Sequence, residues 1–175
     1  MIFRKMSRIS FIASFCILYL LSFGCSGSTN EIVPDFVLPD SKESQVSLSS
    51  LLDENEHVVI VFYRGHFWGI CRSQLGELQQ FHQKFLERNT EIVAISMDNL
   101  ENAKAMAEVT GAQFQVLYDP EGMVVRRFGV YNILGDGVAA PSAFVIGKKR
   151  SLEWSYIGKN AGDRPSIDDL LSKLD

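Results

Sequence analysis

The chain has 175 residues, enough for one domain with a sizeable core and too few for two. Apolar side chains make up 46% of it and charged ones 22%, which excludes disorder for its bulk. A formal net charge of −4 argues against nucleic acid as a partner.

Residues 1–24 stand apart from the rest. Arg4, Lys5 and Arg8 come first without an acid, and the uncharged run "ISFIASFCILYLLSF" follows, which is the pattern of a secretory signal. The run ends at Gly24-Cys25 and the polar "SGSTNE", and so resembles a bacterial lipoprotein signal, in which Cys25 becomes the lipidated first residue. The alternatives are an ordinary cleaved signal or an uncleaved anchor; residues 9–23 fall short of the ~20 apolar residues that span a bilayer. The leading charges send the domain outward. The expected location is therefore extracytoplasmic, with the protein held by its N-terminal lipid at the bacterial cell membrane or the outer membrane. Without residues 1–24, 14 Lys and Arg face 21 Asp and Glu, and Cys71 is the single thiol left in the folded part.

Residues 25–31 read as a lipidated N-terminus and short linker, and 32–175 as one domain. Pro34 and Pro39 exclude a central strand or helix from the next stretch, and Ser49 or Ser50 can open a short turn. Val58 to Tyr63 is continuously apolar, the pattern of a strand covered on both faces. A helix follows, with Leu75, Leu78, Phe81 and Phe85 on its apolar side and Gln74, Gln80, His82 and Lys84 on its polar side. Glu91 to Met97 is the next strand. Asp98 with Glu101 forms a capping-box-like start for a helix that stops at Gly111. Residues 114–118 form a strand, Asp119-Pro120 caps a short helix through Val124, Val125 and Phe128, and "YNILGDGVAAP" is a glycine-containing loop. Ala143 to Ile146 and the alternating Leu152, Trp154 and Tyr156 pair as an antiparallel hairpin, and Ile167, Leu170, Leu171 and Leu174 mark a closing helix. The order predicts an α/β fold of thioredoxin-like type, a central mixed sheet with helices on both faces.

Four separated motifs, "VPDFVLPD", "VVIVFYRGHFWGICRSQLGEL", "DPEGMVVRRFGV" and "APSAFVIG", resemble the alkyl hydroperoxide reductase and thiol-specific antioxidant (peroxiredoxin-like) family over residues 33 to about 157. The resemblance places Cys71 on the reactive cysteine. It implies a peroxide, or a thiol or disulfide, as substrate and an external thiol as reductant. The family pattern Pro-x-x-x-Thr-x-x-Cys is not kept: Arg64 stands at the proline and Trp68 at the threonine, or at the first cysteine of a Cys-x-x-Cys. Pro141 occupies the place of an arginine ahead of the Phe-Val-Ile strand, as in thioredoxin-like reductases, which implies a cis bond. Tyr63, Arg64, Trp68 and Pro141 are thus the expected surroundings of Cys71.

A free cysteine is only slightly ionised at neutral pH, and the first turn of a helix favours the thiolate through unpaired N–H groups and the helix dipole. Arg64 adds positive charge, and Arg72 is expected to point to solvent. Against this stands a second reading, in which Cys71 is a packed small hydrophobe and Trp68 fills the substrate groove. Trp68 cannot resolve a mixed disulfide, whereas a peroxidase can work with one cysteine through a sulfenic acid. Two classes follow: a one-cysteine, membrane-tethered peroxidase, or a thioredoxin-like module that binds a partner without turnover. No cofactor or metal is expected. His57, His66 and His82 match no metal spacing, and Gly135 and Gly137 bend a loop without a phosphate-binding pattern.

Overall fold

The computed structural model describes residues 31–174. The signal segment 1–24, the linker through residue 30 and the lipidation candidate Cys25 lie outside the described residues. Among the described residues, no helix is long and apolar enough to cross a membrane.

The core is organised by β3 (His57–Phe62), whose last five residues are all buried. Val58, Ile60 and Phe62 face one side and Val59 and Val61, continued by Tyr63, face the other, so both faces must be covered. The sheet has the order β5-β4-β3-β6-β7. In it β4 (Thr90–Ser96) runs parallel to β3, and β5 (Gln115–Tyr118) parallel to β4. β6 (Ser142–Gly147) is antiparallel to β3, and β7 (Ser151–Ile157) antiparallel to β6 across a single 3-10 turn, Lys148–Arg150. The mixed sheet and terminal hairpin are as the sequence predicts. On the first face lie α1 (Leu48–Glu54) and α4 (Met123–Arg127). On the second lie α2 (Gly69–Leu86), α3 (Leu100–Thr110) and α5 (Ile167–Leu171).

Ahead of the sheet, β1 (Val37–Pro39) and β2 (Gln45–Ser47) form a small antiparallel ribbon that the prolines did not announce. The same segment touches both outer strands: Ile32 bridges Ser151 at the start of β7, and Asp40 bridges Leu117 of β5. Ser47, rather than Ser49 or Ser50, caps α1 by accepting from Ser50 N–H.

Three local expectations change. The cap of α3 is Asn99, whose side chain accepts from Asn102 N–H, because the Asp98 carboxylate is engaged elsewhere. Gln74 is buried, with its Oε1 accepting from Arg164 Nη1 at 2.8 Å. His82 is buried too, edge-on to Phe114 at 5.7 Å between ring centroids, and burial pushes its pKa down. The polar-looking side of α2 therefore meets neighbours that its own periodicity does not encode. Asp119 does cap α4: its carboxylate accepts from the N–H groups of Met123, Val124 and Val125 at 2.8 to 3.0 Å.

Glu91 on β4 pairs with Val58 and is half-buried. Desolvation pushes its carboxyl from 4.5 up to about 6, with Glu54 repulsion acting in the same direction. The folded state thus keeps this proton to higher pH than the unfolded chain, and the contribution of Glu91 to stability falls as pH rises through that window. In urea titrations from pH 4 to 7, Glu91→Gln should gain stability relative to wild type between about 4.5 and about 6 and hold a constant difference above. A difference that does not vary with pH would refute the assignment.

Candidate functional site

At the C-terminal edge of β3 the chain must turn from sheet to helix, and it does so in Arg64 to Trp68. Tyr63 N–H donates to Ile95 O at 3.0 Å, the last rung of the ladder. Gly65 then takes a φ of 154°, and Trp68 N–H closes a turn on Gly65 O at 3.3 Å. Asp98 holds the loop from the β4 side: its Oδ2 accepts from His66 N–H at 2.9 Å and from Ser96 Oγ at 3.0 Å. From the helix side Arg72 Nη1 donates to His66 O at 2.8 Å, so this arginine is half-buried and does not point freely to solvent. The stretch between β3 and α2 is pinned from both directions.

Trp68 is the N-cap of α2 and offers no side-chain acceptor to its first turn. Cys71 is the third helical residue, its N–H donating to Trp68 O at 2.9 Å. It is the free thiol of the described residues and is 1% exposed. Its cluster contains Tyr63, Val61, Leu75 and Ala143, with Trp68 packed against it.

Arg64 is buried as well, its side chain 4% exposed. Nη2 pairs with Asp136 Oδ2 at 2.5 Å, and the guanidinium carbon lies 4.3 Å from the Trp68 ring centroid. Its Nε and Nη1 have no acceptor among the described residues. Tyr63 is fully buried, and among the described residues no hydrogen bond of good geometry reaches its hydroxyl. Burial pushes its phenol well above the usual range; the Ser96 hydroxyl opposes this, and Asp98 and Cys71 reinforce it.

Pro141 is buried beside the end of β3, since the next residue, Ser142, pairs with Phe62. Its peptide bond is trans, contrary to the expected cis form: no cis bond occurs among the described residues. The reason is local. Ala140 N–H donates to Val130 O and Pro141 O accepts from Gly158 N–H at 2.8 Å, so the trans chain already runs straight into the hairpin, and trans is favoured by about 0.5–1 kcal/mol.

Tyr63 and Cys71 share one buried cluster against which Trp68 packs, Arg64 stacks on Trp68, and Pro141 lies one residue ahead of the Ser142–Phe62 pair. Sequence reasoning missed Asp136, Asp98 and Ser96. Asp98 was visible only as a helix cap, and Asp136 only as the middle of "GDG", a turn in which Gly135 and Gly137 both have φ of 78°. His57 pairs with Glu153, His66 sits in the loop and His82 lies under Phe114, on three separate elements.

Gly65 is the one position of this loop where a side chain is excluded by the backbone itself. A Cβ there would also stand 3.4 Å from Asp98 Oδ1 and from the Phe67 ring. Gly65→Ala should cost about 1–3 kcal/mol in denaturant unfolding; a loss under ~0.5 kcal/mol would show that the loop relaxes freely.

Comparison with known proteins gives this geometry a family. The model of the AhpC/TSA family matches residues 29–155. Alkyl hydroperoxide reductase E of Mycobacterium tuberculosis is 31% identical over 115 residues, covering 65% of this chain and 74% of that protein. Among solved structures, the peroxidoxin BcpB from Mycobacterium tuberculosis superposes with a TM-score of 0.74 at 27% identity, over 83% of this chain and 94% of that one. AhpC of Enterococcus faecalis gives a TM-score of 0.74 at 26% identity, over 83% and 89%. The family match over most of the chain and the agreement of fold with these solved structures lead to one conclusion: the chain belongs to the AhpC/TSA family of peroxiredoxin-like, thioredoxin-fold proteins.

Proposed function

We propose that the protein is a one-cysteine peroxidase of the cell envelope, using Cys71 and an external thiol. The observation that carries this reading is the position of Cys71 in the first turn of α2, a helix whose N-cap Trp68 is stacked under the buried guanidinium of Arg64. In the reaction the Cys71 thiolate attacks one oxygen of a hydroperoxide, the O–O bond breaks, and the leaving alkoxide takes a proton to become the alcohol. Cys71 is left as a sulfenic acid. One external thiol then displaces water to give a mixed disulfide, and a second releases the Cys71 thiol and carries away the disulfide.

Counting supports the external reductant, because residues 26–175 contain no second cysteine. A lipidated Cys25 would hold its sulfur as a thioether and take no part. With the threonine and arginine of the family pattern absent, Arg64 and the first-turn N–H groups are the donors at hand for a developing oxyanion. Each oriented donor lost from such a site costs roughly a factor of 10² to 10³, so the enzyme is slow. Cys71 is buried in a cluster against which Trp68 packs, so turnover requires the loop from Arg64 to Trp68 to open.

The burial of Cys71 also favours a second reading, a partner-binding module without turnover, for which the exposed Phe67 and Ile70 would provide contact surface. Limiting peroxide decides between them. Reduced protein should yield a monomeric sulfenic acid that a dimedone reagent traps, and recover a free thiol only after an external thiol is added; Cys71→Ser should give neither. An untouched thiol in folded protein would establish the binding module. A rapid Cys71–Cys71 dimer would replace the external thiol by resolution between chains.

The envelope location rests on the basic residues, apolar run and Gly24-Cys25 of the N-terminus. Intact mass of protein extracted from membranes should correspond to a chain beginning at Cys25 and bearing lipid. A free N-terminus elsewhere, or the full-length mass, would overturn it.

A further inference from the structure

The groups around Cys71 differ in how fully they are engaged. Arg72 donates to His66 O, and Arg164, ahead of α5, donates to Ile70 O, Ala161 O and Gln74 Oε1. Asp98 accepts from His66 N–H and Ser96 Oγ, with Asn102 Nδ2 at 3.4 Å. Tyr63 is neutral and buried. Arg64 alone among these combines a buried full charge, two unpaired nitrogens and a single anionic partner, and that partner comes from a distant loop.

Asp136 reaches Arg64 from the turn between Tyr131 and Ala139, which form an isolated bridge. Asn132 closes this turn, its N–H donating to Val138 O and its Oδ1 accepting from Gly137 N–H at 2.7 Å. The Asp136 side chain is 32% exposed at the site mouth while that of Arg64 is 4% exposed. Two effects compete in such a pair. The carboxylate orients the guanidinium, and it cancels the guanidinium's charge. Orientation has other sources here, because burial and the Trp68 ring already hold Arg64. Cancellation has none, and at low effective dielectric the field of a closely matched pair falls off much faster than that of a lone charge.

We infer that Asp136 is a positioning residue for Cys71: its ion pair with Arg64 masks the charge of that buried guanidinium and holds the reactivity of the thiol down. This rests on the reading of Cys71 as the nucleophile. It makes the turn from Tyr131 to Ala139 part of the catalytic apparatus, although no atom of that turn reacts.

The test is the rate of Cys71 alkylation by iodoacetamide, a neutral probe, across a pH series on the purified full chain, with circular dichroism to confirm folding. Asp136→Asn keeps an acceptor for Arg64 but removes the charge. It should speed alkylation at pH 7 about tenfold and move the pH profile to lower pH. Arg64→Gln should move the profile to higher pH, and the double variant should match Arg64→Gln alone, since Asp136 acts only through Arg64. Asp136→Glu should behave as wild type, and Asp136→Ser replaces Asp136→Asn if the latter fails to fold. A neutral variant that is unchanged or slower overturns the inference. So does a gain that persists in the Arg64→Gln background. Folded protein whose Cys71 reacts in no variant overturns the nucleophile reading, whereas a reactive wild type with an unresponsive Asp136→Asn overturns this inference alone.

Discussion

Burial of β3 on both faces is the constraint on which the rest of the molecule depends. A strand without a wet side leaves its backbone no partners but neighbouring strands, so β4 and β6 must flank it, and it leaves its side chains two separate cores to fill. The chain cannot leave such a strand sideways. It emerges at the end of the sheet, where Tyr63 still belongs to the core and Arg64 is the next residue out. The helix that returns over the second face then has to begin there, and so the first turn of α2 and its thiol are delivered to the rim of the sheet.

Periodicity made most of this architecture legible. The unbroken apolar run of β3, the spacing of Leu75, Leu78 and Phe85, and the alternation of β7 each state which face a residue presents, because that information is local. What periodicity cannot state is the identity of a partner from another element. Gln74 and His82 look polar on the wheel of α2 and are buried because Arg164 and Phe114 come to meet them. Asp98 has the sequence of a cap and serves the loop instead, leaving the cap to Asn99. The same holds for the site. Cys71, Trp68 and Arg64 lie close enough in sequence to be grouped, while Asp136 is brought to them only by the fold.

The approach to Cys71 is built from an unusual pair of side chains. Three positions before the cysteine stands an indole, and the Arg64 guanidinium is stacked on it. Such a stack is worth about 0.5–2 kcal/mol, more when desolvated. Burying an arginine with only one charged partner costs several kcal/mol, and a hydrophobic residue of similar volume would stabilise the fold more. The glycine at 65 belongs to the same arrangement, since its φ of 154° lets the backbone bring Arg64 inward and Trp68 under it.

The N-terminal segment of the domain touches both outer strands, through Ile32 at β7 and Asp40 at β5. Four gaps between five strands span about 19 Å at the usual spacing, and eight steps of extended chain reach about 27 Å, so one short strap crosses the whole width of the sheet with slack to spare. Outer strands carry unpaired backbone groups that other chains can use as templates for intermolecular pairing. Here their protection is concentrated in a single length of polypeptide. Peeling this strap away would uncover two templates at once, on opposite margins of one molecule, which is the geometry needed for open-ended polymerisation rather than for a closed pair.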